Sequence, residues 1–372
     1  MDNVMIEEKV LKLVKSNWTP TKLGELAAEI SKRVDNPGSS KYDRFVGLGN
    51  FVSGDIKIKT WETTDNLTSS AKAFKAGDIL FARRNAYLRR ASMVDFDGCC
   101  SGDAFVLREN NDKVVPGFLA FLLNSDALWD YANSNAAGTM SKRVKWRDLA
   151  EYEFLLPPKD QQTKLAELLW AMDDVIERGH LLNENLNLLK QSQLKEVFDR
   201  SNCDKYKIGD ISDNLDNKRI PVAKNKRIKG DIPYYGASGI VDYVDGYTHN
   251  EPILLISEDG ENLNSRNLPI AYSVDGKSWI NNHAHVLRVT KASRYLVKEY
   301  FNFFDISDFI TGGTRPKVTK GMLTDMPIYL PKKGVKEVSE NKLLEIDASL
   351  ENNKSKILSS KALQKSLINQ VF

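Results

Sequence analysis

Residues 138–159 read GTMSKRVKWRDLAEYEFLLPPK, and residues 312–333 read GGTRPKVTKGMLTDMPIYLPKK. Each stretch is a basic, glycine-containing loop followed by a short apolar run that ends in proline. No gap is needed from residue 148 to Val197-Phe198, which corresponds to Val371-Phe372. A repeat with a period of about half the chain indicates a duplicated domain rather than a solenoid of short units.

The repeat also includes segments far from these loops. Residues 23–26 (LGEL) resemble residues 208–211 (IGDI), and AFVLR at 104–108 resembles AHVLR at 284–288. The gap-free matches are Leu149 with Leu323, Leu156-Pro157 with Leu330-Pro331, Lys159 with Lys333, Leu169 with Leu343, Asp173 with Asp347, Glu177 with Glu351, Leu189 with Leu363 and Ser192 with Ser366. Each half therefore has the order globule, basic loop, short strand ending in proline, and long helix.

The composition predicts hydrophobic cores without a global basic charge. A chain of 372 residues with 41% hydrophobic content should form two or three domains. The net charge is only +3, so a nucleic-acid function would require local clusters of Lys and Arg. Cys99, Cys100 and Cys203 form no even disulfide framework, which suits a reducing cytosol. Since we find neither a signal-peptide pattern nor a run of about 20 apolar residues, we expect a soluble, cytoplasmic protein with no membrane contact.

Two long segments have helical periodicity. Residues 160–198 contain no proline and one glycine, and apolar residues recur at alternating steps of three and four, as in a coiled-coil seam. The predicted seam positions are Leu165, Leu168, Met172, Val175, Leu182, Leu186 and Leu189 in the first helix and Leu343, Ile346, Leu350 and Ile357 in the second. A helix of this length would extend ~58 Å, too far to cover one small globule. We expect the two helices to pair as an antiparallel coiled coil; the alternative is two amphipathic helices packed on separate cores.

The other segments predict two mixed, strand-rich α+β globules. Short β-branched or aromatic runs bounded by Gly or Asp predict strands, as in GDILFARR at 77–84 and EPILLISEDG at 251–260. The resulting division is a first globule at 1–158, a helix at 159–200, a second globule at 201–334 and a helix at 335–372. Near the N-terminus, Ile6, Val10, Leu13 and Val14 share one helical stripe, most simply a core-facing one.

Motifs of known enzyme classes are incomplete. Residues 45–49 have the FxGxG spacing of amino-methyltransferases, but no Asn/Asp-Pro-Pro-aromatic motif follows. Residues 276–278 (GKS) resemble the end of a P-loop, but Ala271 stands where its first glycine would be. Residues 340–342 (ENK) have a nuclease-like spacing on a helical segment rather than a strand. We therefore expect no catalytic residues in this chain.

Two histidines are the strongest candidates for a metal site. His283 and His285 are separated by one residue in a strand-like run, so both side chains would point to one face of a sheet. No third or fourth ligand occurs at metal-site spacing. Structural imidazoles hydrogen-bonded to their neighbours are the commoner outcome, and we predict no metal.

The positive functional signal is basic and local. The segment FARRNAYLRR at 81–90 places Arg83, Arg84, Arg89 and Arg90 around Tyr87. In a strand or tight ribbon, several of these side chains would share one face. Guanidiniums suit bidentate contacts with guanine or phosphate, and a tyrosine can pack on a sugar or base edge. The alternative is a solvated charged face.

Further predicted DNA contacts lie in the repeated loops and in the second globule. Glycine-rich loops let backbone N–H groups approach phosphates, while nearby cations neutralise charge. The residues are Lys142, Arg143 and Lys145 in the first half, and Tyr235, Ser238, Arg266, Arg315, Lys317 and Lys320 in the second. Two such surfaces on one chain predict a DNA site with two parts, although both loops could also be solvated connectors.

At this point the sequence resembles the specificity subunit of type I restriction-modification systems over essentially its whole length. The motifs are KAGDILFARRNAYLRRASMVDFDGCCSGD at 75–103, IPYYGASGIVDYVDGY at 232–247, NNHAHVLRV at 281–289 and LLPPKDQQTKLAELLWAMDDVIE at 155–177. The last is similar to the segment that begins the family's conserved helix. The second half departs from that pattern, since Lys332 and Lys336 replace Pro158 and Gln162.

The resemblance implies a non-catalytic role. Each globule would be a target recognition domain for one half of a bipartite double-stranded DNA sequence, and the helices would set the gap. Two modification subunits would methylate adenine with S-adenosylmethionine, and restriction subunits would add ATP- and Mg-dependent translocation and cleavage. These cofactors would be bound by the partner subunits. The alternatives are a stand-alone DNA-binding module and a coiled-coil protein-interaction protein.

Overall fold

The structure, a computed structural model, describes residues 13–372; Ile6 and Val10 of the N-terminal stripe lie outside this range. The chain forms two compact units: unit 1 extends to Leu181 and includes Lys354–Phe372, and unit 2 comprises Leu182–Asn353. Each unit therefore contains part of both long helices, unlike the division predicted at residues 158, 200 and 334. Within residues 13–372, no helix combines the length and apolar character needed to cross a membrane.

Unit 1 is built mainly from short strands. Its strands are β1 (Thr19–Lys22), β2 (Ala27–Glu29), β3 (Arg33–Val34), β4 (Arg44–Val46), β5 (Glu62–Thr63), β6 (Ala71–Phe74), β7 (Ile79–Ala82), β8 (Ala91–Met93), β9 (Gly98–Cys100), β10 (Ala104–Glu109) and β11 (Glu153–Leu156). Its helices are α1 (Leu23–Leu26), α2 (Leu119–Leu122), α3 (Asp126–Ser134), α4 (Trp146–Leu149) and the first part of α5 (Lys159–Val197). The strands form a β1-β11 ribbon and sheets of order β2-β10-β7-β8 and β3-β6-β9-β4-β5.

Unit 2 repeats much of this plan. Its strands are β12 (Cys203–Lys207), β13 (Ser212–Asn214), β14 (Lys229–Gly236), β15 (Gly239–Val244), β16 (His249–Asn250), β17 (Ile253–Ser257), β18 (Ala271–Val274), β19 (Lys277–Ile280), β20 (Ala284–Val289) and β21 (Pro327–Pro331). Its helices are α6 (Ile208–Ile211), α7 (Asn262–Ser265), α8 (Arg294–Phe303), α9 (Lys320–Asp325) and the first part of α10 (Lys333–Val371). The strands form a β12-β21 ribbon and sheets of order β13-β20-β17-β18 and β15-β14-β19-β16.

The corresponding sheets confirm the duplicated α+β class. The repeated AFVLR and AHVLR segments form β10 and β20, the second strand in each of the two equivalent four-stranded orders. The LGEL and IGDI segments form the one-turn helices α1 and α6. A Cβ at Gly24 would lie 2.9 Å from Ala150 Cβ, and one at Gly209 would lie 2.6 Å from Thr324 Cγ2. Glycine thus permits the same close approach in both copies.

Each unit has an aromatic core completed by a long helix. In unit 1, Phe81 stacks on Trp129 with ring centroids 4.5 Å apart, and Leu367 of α10 belongs to the same buried cluster. In unit 2, Phe198, directly after α5, meets Tyr300 edge-on at 5.4 Å, and Leu343 of α10 belongs to that cluster. The long helices are therefore structural parts of both units.

The two helices pair antiparallel within each unit, as predicted. In unit 1, Gln364 Nε2 donates to the Leu169 carbonyl at 3.3 Å. In unit 2, Lys190 Nζ lies 2.7 Å from Asp347, and Asn353 Nδ2 donates to Asn183 Oδ1 at 2.8 Å. Early residues of α5 therefore meet late residues of α10, and late residues of α5 meet early residues of α10.

The predicted seam of α5 is wrong at every second position. Leu168, Val175, Leu182 and Leu189 are 41%, 58%, 47% and 48% exposed. In each case the following residue faces inward: Leu169 and Ile176 are buried, while Asn183 and Lys190 are polar and partly buried. Asn183 and Lys190 are tolerated because Asn353 and Asp347 satisfy them. A search for apolar residues alone selects the neighbouring leucines instead.

The remaining predicted seam positions face inward. Met172 is half-buried against the unit 1 core, and Leu186 is half-buried on α5. Leu343, Ile346, Leu350 and Ile357 of α10 are buried. The buried positions of α10 are mainly apolar, and its buried polar residues are Ser339, Asn353 and Gln364.

Candidate nucleic-acid interface

The first repeated loop is hydrogen-bonded to the end of β7. Ala137 and Arg143 exchange backbone hydrogen bonds of 3.1 and 2.9 Å, which closes the loop around Gly138 at φ 125°. Val144 N donates to the Arg83 carbonyl at 2.9 Å, and Arg83 N donates to the Asp103 carbonyl at 3.0 Å. We call residues 83–85, 103 and 137–144 junction 1.

The second repeated loop has the same backbone arrangement. Thr311 and Lys317 exchange hydrogen bonds of 2.8 and 2.7 Å around Gly312, which has a φ of 87°. Val318 N donates to the Glu258 carbonyl at 2.8 Å, and Glu258 N donates to the His283 carbonyl at 2.9 Å. We call residues 258–260, 283 and 311–318 junction 2. The matching bonds make Arg83 equivalent to Glu258 and Asp103 equivalent to His283.

Junction 1 contains one carboxylate among several cations. Asp103 accepts hydrogen bonds of 2.8 and 3.2 Å from Arg143 and lies 3.5 Å from Arg84 Nη1. The Arg143 hydrogen bond holds the pKa of Asp103 below its usual range. Arg84 Nε also donates to Ser141 Oγ at 2.6 Å. Lys142 and Lys145 are exposed beside this cluster, so the surface is positive.

The predicted basic ribbon at 81–90 is not one surface. Its residues after β7 form a turn in which Asn85 and Arg89 are left-handed. Arg89 forms ion pairs with Asp126 and, at 2.9 Å, with Asp130. Arg90 donates to the Leu48 carbonyl at 2.8 Å, and burial lowers its pKa. The guanidiniums of Arg89 and Arg90 therefore stabilise the fold.

Other members of that segment remain near the surface. Tyr87 is largely exposed, and Arg84 is partly exposed. The Arg83 guanidinium lies 5.6 Å from the centroid of the Phe105 ring, and its Nε is buried without a partner in the described chain. Arg84 and Tyr87 thus remain candidates for ligand contact.

Junction 2 contains two adjacent carboxylates. Asp259 accepts from Arg315 Nη2 at 3.0 Å and lies 3.0 Å from His283 Nδ1. Glu258 pairs with Lys317 at 3.0 Å and with Arg219 at 2.5 Å. Burial would raise the pKa of Glu258, but the hydrogen bonds from Arg219 and Lys317 outweigh it and the pKa is lowered. Arg315 and Lys317 remain exposed at the rim.

A buried ion-pair network lies beneath junction 2. Asp216, Glu258 and His285 bring possible metal-ligand atoms within 4.8 Å of one another. Arg219 lies among them, 3.4 Å from Asp216, and also donates to the Ala284 carbonyl at 2.8 Å. His285 contacts Asp216 through Nδ1 at 2.7 Å and the Val318 carbonyl through Nε2 at 2.9 Å. Since a guanidinium already supplies the positive charge, the cluster serves as a structural ion-pair network.

The other predicted contacts in unit 2 have mixed positions. Tyr235 is half-buried and stacks on Tyr272 at 6.2 Å, whereas Ser238 and Lys320 are exposed. The prediction for Arg266 is wrong: its Nη2 donates to the Phe301 and Phe304 carbonyls, both at 2.7 Å. Burial also lowers the pKa of Arg266, so this side chain supports the end of α8.

A second basic surface was missed by the sequence analysis. Lys224, Lys226 and Lys229 are exposed at the start of the β14–β15 hairpin, and none forms an ion pair within residues 13–372. Tyr243 and Tyr247 are exposed nearby along the chain. The run KNKRIKG at 224–230 is a local charge signal that could have identified it.

The chain is thus an internally duplicated α+β protein with two basic loop junctions and paired helices. The family model for the type I restriction modification DNA specificity domain matches residues 15–187 and 200–359. The chain therefore belongs to the type I DNA specificity family, and the predicted resemblance is confirmed.

Curated relatives and a solved structure are similar to this chain. A putative type I restriction enzyme specificity subunit of Haemophilus influenzae is 36% identical over 37% of this chain and 36% of the relative. The EcoDI specificity subunit of Escherichia coli is 26% identical over 51% and 43%. The chain spans about half, or less, of the length of these relatives. The type I S subunit from M. genitalium has the same fold, with a TM-score of 0.65, 15% identity and 97% and 98% coverage.

Proposed function

We propose that this chain is the non-catalytic DNA-recognition subunit of a type I restriction-modification complex in the cytoplasm. Units 1 and 2 each recognise one part of a bipartite, gapped site in double-stranded DNA. The main support is the repetition of one backbone arrangement, in which Gly138 and Gly312 begin equivalent basic loops. Two equivalent surfaces suit two half-sites.

Exposed cations define the proposed DNA contacts. Lys142 and Lys145 contact phosphates in unit 1, beside Arg84 and Tyr87. Lys317 and Lys320 take this role in unit 2, beside Arg315 and together with Lys224, Lys226 and Lys229 of the second basic run. Lysine and arginine fix a protein on DNA through phosphates, while contacts to base edges supply specificity.

The outer face of α5 is the proposed docking surface for two modification subunits. Leu168, Val175, Leu182 and Leu189 form an exposed apolar stripe on this helix. Such stripes commonly mark protein interfaces. The modification subunits would methylate adenine with S-adenosylmethionine, and restriction subunits would add ATP- and Mg-dependent reactions. In this proposal those cofactors bind the partners.

Co-expression with the modification subunit of a type I system from the same genome tests the function. Methyladenine is then mapped across host DNA. A single gapped motif supports the proposal, and the absence of new methylation contradicts it. The variant Val175→Asp/Leu182→Asp changes only exposed side chains, so it should keep the fold and DNA affinity but lose methylation. DNA binding without any methylation would favour the stand-alone module, and no salt-dependent DNA binding would favour a protein-interaction role.

Insertion of one heptad into both helices tests their role in setting the gap. Seven helical residues add ~10 Å, which corresponds to about 3 base pairs of DNA. The mapped motif should keep both half-sites and lengthen its gap by about that amount. An unchanged gap would show that the helices do not set the spacing.

A further inference from the structure

Junctions 1 and 2 place a carboxylate at exchanged positions of the same strand pair. β10 pairs with β7, and β20 pairs with β17, in the same antiparallel arrangement. Arg84 follows β7 and Asp103 precedes β10, with 3.5 Å between their charged groups. At the equivalent positions, Asp259 follows β17 and His283 precedes β20, 3.0 Å apart. The carboxylate therefore stands on opposite strands in the two copies.

In both copies the carboxylate lies inside and the cations lie outside. The side chains of Asp103 and Asp259 are 19% and 12% exposed, whereas those of Arg84 and Arg315 are 43% and 63% exposed. A third group from the loop completes each cluster, Arg143 in junction 1 and Arg315 in junction 2. This order suits a carboxylate that orients a guanidinium rather than one that meets a ligand.

Each oriented guanidinium keeps unused donors. Arg84 Nε donates to Ser141 and Nη1 lies 3.5 Å from Asp103, while Nη2 has no partner within the described chain. Arg315 bonds through Nη2, and its Nε and Nη1 have none there. The free N–H groups of a guanidinium can donate to the O6 and N7 acceptors of guanine in the major groove.

We propose that Arg84 and Arg315 each recognise a guanine, one in each half of the DNA site, and that Asp103 and Asp259 are positioning residues. This inference rests on the proposed function and adds the base class and the residues that select it. The carboxylate lies on opposite strands in the two halves, and the guanidinium comes from the end of β7 in unit 1 and from the basic loop in unit 2.

The test is the methyladenine motif of the co-expressed complex carrying Arg84→Ala or Arg315→Ala. Each variant should relax a G·C preference in one half by on the order of 10- to 100-fold and leave the other half unchanged. Lys142→Ala is the matched control: a phosphate contact should lower methylation at all sites without changing the motif.

The test of the positioning residues must distinguish orientation of the guanidinium from a purely structural role of the carboxylate. Asp103→Asn should weaken the same G·C preference as Arg84→Ala, and Asp103→Glu should restore part of it. The exchange Arg84→Asp/Asp103→Arg keeps the ion pair but moves the guanidinium to the other strand, so the wild-type preference should not return. Arg315→Ala, at an exposed side chain, decides the question in unit 2 if Asp259→Asn does not fold.

Three results would overturn the inference alone: a wild-type motif without G·C pairs, variants at Arg84 and Arg315 that keep the wild-type motif, or a charge exchange that restores it. Absence of any wild-type methylation would instead defeat the proposed function, and this inference with it.

Discussion

Junction 1 and junction 2 have nearly the same backbone hydrogen bonds, but their side chains distribute charge differently. Val144 N to Arg83 O and Val318 N to Glu258 O measure 2.9 and 2.8 Å. Junction 1 is a shallow group of arginines around one carboxylate, whereas junction 2 lies over a buried network centred on Arg219. The backbone bonds fix the loop, so the side chains at the strand ends can differ without changing the fold.

The largest expected difference concerns the buried network. Arg219→Ala removes the cation that faces Asp216 and Glu258 and should lower the free energy of unfolding by about 3–5 kcal/mol. Arg143→Ala, in the open cluster of junction 1, should produce a much smaller loss. Urea denaturation measures both free energies of unfolding. Equal losses would show that the buried network of junction 2 contributes no more to stability than the open cluster of junction 1.

The next largest effect concerns the two glycines that permit close packing, Gly24 in α1 and Gly209 in α6. Gly209→Ala places a methyl group 2.6 Å from Thr324 Cγ2 and should cost about 1–3 kcal/mol, with a smaller loss for Gly24→Ala. Adding Thr324→Ala should recover part of the stability in thermal unfolding. A double variant as unstable as Gly209→Ala would indicate that the Thr324 carbonyl, 3.2 Å away, sets the limit.

The junctions should also differ in their response to acid. The folded-state pKa values of Asp216, Glu258 and Asp103 are lowered. Such carboxylates contribute stability above the unfolded pKa, about 4, and this contribution is lost as pH falls through the folded pKa. Between about pH 5 and 3 the melting temperature should fall, and Asp216→Asn/Glu258→Gln should flatten this slope more than Asp103→Asn. If both variants gave the same slope of melting temperature against pH, the buried carboxylates of junction 2 would contribute no more to acid sensitivity than Asp103.

The smallest effect concerns phosphate contacts. Lys142 has no ion pair within the described chain, whereas Lys317 lies 3.0 Å from Glu258. Lys142→Ala should reduce the slope of log affinity against log salt by about one. Lys317→Ala should change it less, because Glu258 already neutralises part of its charge. Titration of a DNA site at several salt concentrations distinguishes the two, and equal changes would show that Glu258 does not compete with phosphate.

Local patterns predicted the architecture well. Leu156-Pro157 and Leu330-Pro331, with the helical segments after them, depend on neighbouring residues and needed no tertiary information. The α5 seam was only half predictable, because Asn183 and Lys190 face inward through partners distant in sequence. A hydrophobic pattern cannot show that a polar residue will be satisfied.

The candidate site was less predictable for a related reason. A sequence shows that Arg89 is charged, but not that Asp126 and Asp130 will pair with it. Arg266 was likewise committed to backbone carbonyls at the end of α8. Charge can be counted along a chain, whereas its availability depends on long-range contacts.

The composition of the two units has a consequence for the order of folding. Unit 2 is one continuous segment, but unit 1 is completed by Lys354–Phe372. Leu367, Ile368 and Val371 of that segment lie in the same buried cluster as Phe118. During synthesis, the core of unit 1 therefore stays incomplete and partly exposed until all of unit 2 has been synthesised. The half that is translated second can be the first to finish folding.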